Sequence, residues 1–337
     1  MSPVWILALV ALATVASVSA PLLTYGTTLA LFGGAHVATE LRFVDRRFGP
    51  RLGSGLRWGL VGLLAVVVLL RLGKALSWWK GELPLRLELI VVLLLGALVL
   101  PVLLRFGGGR AALAVGLLGL LALGLAAAPA ATILCLAVLH NWTPLGFVAE
   151  ASPAGSRRRN LGLALLAFLG LPALVATGLP AALLASLGAG WPELRLFDSG
   201  PLSRNLGVYL PAAWHEAPWA LDLFRAAVLA QCLHYTWVIG VLPRLPSPAG
   251  ASGPWLGLAE VNGRVFALAV AALSLVGLFG WSQDFHGSRS WYGLVAAVHA
   301  WIEVPILLLA LVPATQVPVN GALSGRAAGR SPARLQS

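Results

Sequence analysis

WYGLVAAVHAWIEVPILLLALV, residues 291–312, decides how the chain is read. The run is long and apolar enough for one bilayer crossing, which takes about 20 residues, yet it carries His299 and Glu303. At a spacing of four these side chains share one helix face, one turn apart. An ionisable group at membrane depth is costly, so such residues face a bundle interior and mark a site. A pair of this kind needs partners from other helices.

Comparable runs recur along the whole chain. Of 337 residues, 59% are hydrophobic and 10% charged, where a soluble domain carries about 25% charged residues. The runs are continuous and rich in Leu and Ala, not alternating, which argues against a β-barrel. The expected fold is therefore all-α: a polytopic transmembrane helix bundle of about ten membrane helices with an intramembrane His/Glu site. The expected segments are residues 4–20, 22–43, 58–78, 84–104, 111–127, 130–148, 161–187, 219–242, 265–281 and 291–312. They form a single domain over 1–312, and the basic tail 313–337 is expected to be disordered and cytoplasmic. Residues 4–20 end Val-Ser-Ala before Pro21, as a cleavage site would, but no Lys or Arg precedes them, so a retained membrane helix is expected.

Ten crossings put both termini on one side. That side carries twice as many Arg and Lys as the other, which predicts cytoplasmic termini. The net charge of +11 follows from these loops, and no soluble segment is long enough for a nucleic-acid-binding domain. Cys135 and Cys232 lie inside apolar runs and are expected as buried free thiols.

Four of the six histidines fall in expected membrane segments: His36, His140, His234 and His299. Their four helices run in the same direction under this topology, and their depths agree within roughly 8 Å at 1.5 Å per residue. Glu40 and Glu303 are read as the only carboxylates at that level, with the other acids assigned to helix ends or loops. HVATE and HAWIE repeat one pattern, H-x-x-x-E, on two helices. Four neutral imidazoles with two carboxylates suit iron, manganese or zinc, and bundles build such sites from inward-facing side chains. Glu40 and Glu303 are the candidate catalytic carboxylates, completing a second metal site or orienting imidazole N–H groups. Haem ligation by two His pairs, a His/Glu proton relay in a transporter, and plain interhelical hydrogen bonding are the competing readings. In the last, Arg42 pairs with Glu40.

His215 and His286 are expected as interfacial anchors. Asn141 and Tyr235 each follow a site histidine and are expected beside the ligands, not among them. Trp142, Trp237 and Trp301 are expected to pack, or to line an apolar cavity. There is no phosphate-cradling loop, no CxxC and no Ser-His-Asp arrangement.

Around His36 the chain reads LFGGAHVATELRFVDRRF, residues 31–48. With intramembrane histidines on later helices, this resembles the bacterial membrane-embedded carotenoid-cleaving dioxygenases of the Brp/Blh type. That family has a small-residue-plus-His motif with a nearby acid on an early helix, further histidines, and a proposed non-haem iron centre. Here the acid is Glu40, and no paired-His motif is present. The resemblance implies that His36, His140, His234 and His299 are iron ligands. It also implies O₂ as co-substrate and a carotenoid or other isoprenoid lipid entering from the bilayer.

Overall fold

The computed structural model of the protein describes residues 3–245 and 255–312, and all regular structure among them is helical. The tail 313–337 and part of the loop before the ninth expected segment lie outside the described residues. The helices are α1 (Pro3–Ser19), α2 (Pro21–Phe48), α3 (Ser54–Ala75), α4 (Leu83–Ala97), α5 (Leu100–Arg105), α6 (Gly108–Ala127), α7 (Pro129–His140) and α8 (Thr143–Ala151). They continue with α9 (Arg157–Leu165), α10 (Leu171–Ala176), α11 (Leu179–Ser186), α12 (Leu202–Leu206), α13 (Ala220–Gly240), α14 (Gly263–Gln283) and α15 (Phe285–Ala310).

Proline explains most of the breaks. It stands in the first two positions of α2, α4, α5, α7, α8, α10 and α11. There it loses no helical hydrogen bond, whereas inside a helix it removes one and clashes with the preceding turn. One apolar run in the sequence thus becomes two helices at Pro101, Pro144 and Pro180.

Seven spans are long and apolar enough to cross a membrane: Ser54–Ala75, Leu83–Arg105, Gly108–Ala127, Arg157–Ala176, Ala220–Arg244, Gly263–Gln283 and Phe285–Ala310. An eighth arises if α7 and α8, bent by 44° at their junction, form one span. The first helix offers only a short apolar stretch, Trp5–Ser19. At 28 residues α2 is long enough, but its Thr, Gly, His and charged residues dilute its apolar character. Its place in the bundle supplies the reason, because α2 packs against α1, α13, α14 and α15. A helix wrapped by other helices is free to carry polar residues that lipid would reject.

The most apolar window of Ala220–Arg244 is 61% buried and that of Phe285–Ala310 50%, against 6% for Gly263–Gln283. So α2, α13 and α15 form the centre, while α14 offers Leu268, Val276 and Phe279 outward. The three central helices run parallel. At their N-terminal ends the Tyr25 ring meets Phe224 at 6.0 Å and Phe285 at 6.3 Å between centroids. Beyond the other end of α2, Arg51 donates to the carbonyl of Leu309 at 3.1 Å. Leu242 there shares an apolar cluster with Phe43 and Phe48.

Between the expected segments 22–43 and 58–78 the chain stays helical as far as Phe48. Asp45 is fully buried and accepts backbone N–H groups of Trp255, Leu256 and Ala259 at 2.5, 2.7 and 2.9 Å. Arg47 and Arg51 both pair with Glu150 at the end of α8. These contacts pin one end of the bundle and fix the axial register of α2 against α8 and α15.

Candidate metal centre

His36, His234 and His299 project from the middle of α2, α13 and α15. His140 is the last residue of α7, at the 44° bend. The bend frees the turn that follows it. Asn141 caps α7 through its side chain, donating to the carbonyls of Ala137 and Val138 at 3.3 and 3.2 Å. Thr143 opens α8 with its Oγ1 2.8 Å from the His140 carbonyl.

One ligand atom from each of the four histidines lies within 4.8 Å of every other. His36 Nε2 and His299 Nε2 are 3.1 Å apart. The His140 ring centroid is 4.6 Å from those of both His234 and His299. His36, His234 and His299 are almost wholly buried. Residues up to 263 positions apart in sequence are thus gathered at one point.

The surrounding groups fix the rings. His36 Nδ1 lies 3.2 Å from the Phe32 carbonyl one turn back. That carbonyl can only accept, so Nδ1 is the donor and Nε2 presents its lone pair to His299. His140 Nδ1 is 2.5 Å from Glu303 Oε2, and Glu303 Oε1 is 2.7 Å from Thr143 Oγ1. An imidazole that donates one N–H to a carbonyl or carboxylate and turns its other nitrogen to a common point has the usual arrangement of a metal-bound histidine. The Tyr235 ring stacks on His36 at 4.1 Å.

Glu40 is 1% exposed, and its Oε2 is 3.6 Å from His234 Nε2, too long for a hydrogen bond. Among the described residues neither Glu40 oxygen has a hydrogen-bond partner, nor has either nitrogen of His234 or Nδ1 of His299. Glu303 is close enough to Glu40 for the two carboxyl groups to interact electrostatically. Buried polar atoms without partners are rare, and each group of them calls for a water or an ion. One nitrogen from each of the four rings, with the unpartnered Glu40 oxygens and Glu303 beside them, fits a divalent cation in donor type and in charge.

The alternative in which Arg42 pairs with Glu40 does not hold. Arg42 turns away, donates to the carbonyl of Val261 at 2.5 Å and lies 4.3 Å over the Phe266 ring. Glu88, expected as a helix-end acid, lies in the second turn of α4 and is buried. It is 4% exposed and accepts from Arg71 Nη2 at 2.6 Å and Trp301 Nε1 at 2.7 Å. His215 and His286 stay outside the cluster, His215 against the carbonyl of Leu210 at 3.1 Å. Both cysteines are free thiols, and Cys232 is buried as expected, but Cys135 is exposed on the outer face of α7 and corrects the expectation of two buried thiols.

No protein-family model, curated protein or solved structure matches this chain.

A cavity of about 340 Å³ opens onto the cluster, with His36, His140 and His299 in its wall. Tyr25, Tyr209, Tyr235 and Tyr292, all four tyrosines of the chain, line it as well. The sequence carried a signal for two of them. Tyr25 stands eleven residues before His36 and Tyr292 seven before His299, spacings that return to the same helix face.

Proposed function

We propose that the chain is an integral membrane metalloenzyme, a non-haem iron oxygenase that acts on a hydrophobic lipid or isoprenoid substrate. The observation that carries the proposal is the set of four imidazoles whose ligand atoms lie within 4.8 Å of one another in a buried cluster. His36, His140, His234 and His299 hold the metal. Glu303 orients His140, and Glu40 lies beside His234. Ferrous iron, were these nitrogen donors to hold it, would supply the chemistry for activating O₂. The protein's own groups fix the tautomers of His36 and His140, exclude water, and present a walled cavity to the substrate.

A single compact cluster favours one metal ion over the two separated His pairs that a haem carrier needs. In this reading α1, α2 and the bent α7–α8 pair lie in the membrane with the seven spans, which gives ten crossings and cytoplasmic termini. The likeness to the Brp/Blh dioxygenases around His36 supports iron and an isoprenoid substrate over zinc.

The test is metal content by mass spectrometry on purified protein, with an optical spectrum of the same sample. About one iron per chain with no Soret band is expected, and His299→Ala should lose the metal while still inserting in the membrane. Full metal content in His299→Ala would sink the assignment.

A further inference from the structure

The cavity beside the histidines has a second end. Along α15, Arg289, Tyr292, Ala296 and His299 follow one another at helical spacing, and all four line it. Ten residues at 1.5 Å each place Arg289 about 15 Å along the axis from His299. On the parallel α2, Tyr25 and His36 span about 16 Å by the same arithmetic.

The walls between these ends are aromatic with a few fixed polar groups. Tyr235 lies flat on His36. Tyr209 Oη donates to Gln231 Oε1, and Gln231 Nε2 donates to Thr28 at 3.1 Å, which occupies those groups within the protein. Gly33 lets Tyr292 reach α2, because a Cβ there would stand 3.0 Å from the ring.

Two arginines line the cavity, and they differ. Arg71 is neutralised by Glu88, with Nη2 at 2.6 Å and Nε at 2.9 Å from one carboxylate oxygen. Arg289 makes no ion pair among the described residues; its guanidinium faces the Tyr25 hydroxyl, and its Nη1 is buried without a hydrogen-bond partner. A buried donor on a permanent cation is costly to leave unmet. An anionic oxygen is the group that meets it, since guanidinium grips a carboxylate in a bidentate fork.

We infer that the cavity takes a carboxylate-headed amphiphile, its head on Arg289 and its chain running inward between the tyrosines to the histidines. The inference deepens the metalloenzyme reading and rests on it for what happens at the inner end. It narrows the substrate class from neutral hydrocarbon to an end-oxidised chain, with the reacting carbons about 15 Å from the head. A volume of 340 Å³ suits one such chain lying along the helix axis.

The experiment uses the full chain in phosphatidylcholine nanodiscs, with ω-bromododecanoate and its neutral counterpart, ω-bromododecanol, as probes. Saturable quenching of tryptophan emission reads binding, and metal content is measured on the same samples. Wild type should bind the carboxylate about tenfold or more tightly than the alcohol, the value of one charge-assisted contact. Arg289→Gln should remove that preference with metal content unchanged, and Arg289→Lys should keep part of it. His299→Ala should keep the preference. If Arg289→Gln retains the wild-type preference, or if wild type shows none, the inference is overturned while the metal centre stands. If no preparation binds metal but the preference depends on Arg289, the metalloenzyme reading fails and the inference holds.

Discussion

Replacing Glu303 by Gln isolates the electrostatic role of the carboxylate behind His140. The amide keeps the shape and the count of hydrogen bonds. Its oxygen accepts from His140 Nδ1 as Glu303 Oε2 does at 2.5 Å, and its nitrogen faces Thr143 Oγ1 where Oε1 lies at 2.7 Å. Only the charge is removed. A carboxylate behind a ligating imidazole raises its basicity, and losing such a partner costs about 10–100-fold in metal affinity. That range is about 1.4–2.7 kcal/mol. Glu303 is 1% exposed, so solvent does not screen the change and the effect should fall in the upper half of the range. The assay is competition for Fe²⁺ or Zn²⁺ against a chelator of known affinity, with metal-free thermal unfolding as control. Thermal stability without metal should change little, because the amide keeps both hydrogen bonds of the carboxyl group. An affinity within threefold of wild type would refute the reasoning, because Glu303 would then do nothing for His140 as a ligand.

Two further substitutions probe the frame around the site. Gly33→Ala places a Cβ 3.0 Å from the Tyr292 ring. Overpacking at about 1–3 kcal/mol exceeds the helix propensity gain of about 1 kcal/mol, so the unfolding temperature should fall; a rise would show that the ring yields freely. Glu88→Leu leaves the Arg71 charge and the Trp301 N–H unpaired, at the lower end of about 3–5 kcal/mol because Arg71 is partly exposed. Adding Arg71→Leu should restore most of that stability in a double-mutant cycle, and purely additive losses would show that the two residues do not act as a pair.

The histidine convergence was legible in the sequence because depth along a helix follows from counting residues. His36, His234 and His299 sit on long unbroken helices, where counting works. His140 was legible for another reason, since it lies at a break yet still reaches the common level. Pairings across helices were not legible. Arg42 is two residues from Glu40, but a step of two on a helix points about 200° away, toward Phe266. Glu88 looked like a helix-end acid, and what buries it comes from α3 and α15. The tyrosine-lined cavity was missed because Tyr209 arrives on a loop and Tyr235 was weighed only as a neighbour of His234. The helix count was blurred at α2, where the central position in the bundle relaxes the demand for apolar residues that a hydropathy reading relies on.

The parallel run of α2, α13 and α15 has a bearing on how the protein is made. Parallel neighbours cannot be adjacent in the chain, so return helices separate them, and His299 emerges 263 residues after His36. At about 5–20 residues per second that interval is on the order of tens of seconds. Throughout it His36 and Glu40 sit in a nascent bundle without the α15 groups that complete the cluster. An ion held by all four imidazoles would therefore gain its last ligand only after α15 has joined the bundle, so completing such a site would be a late step in the protein's maturation.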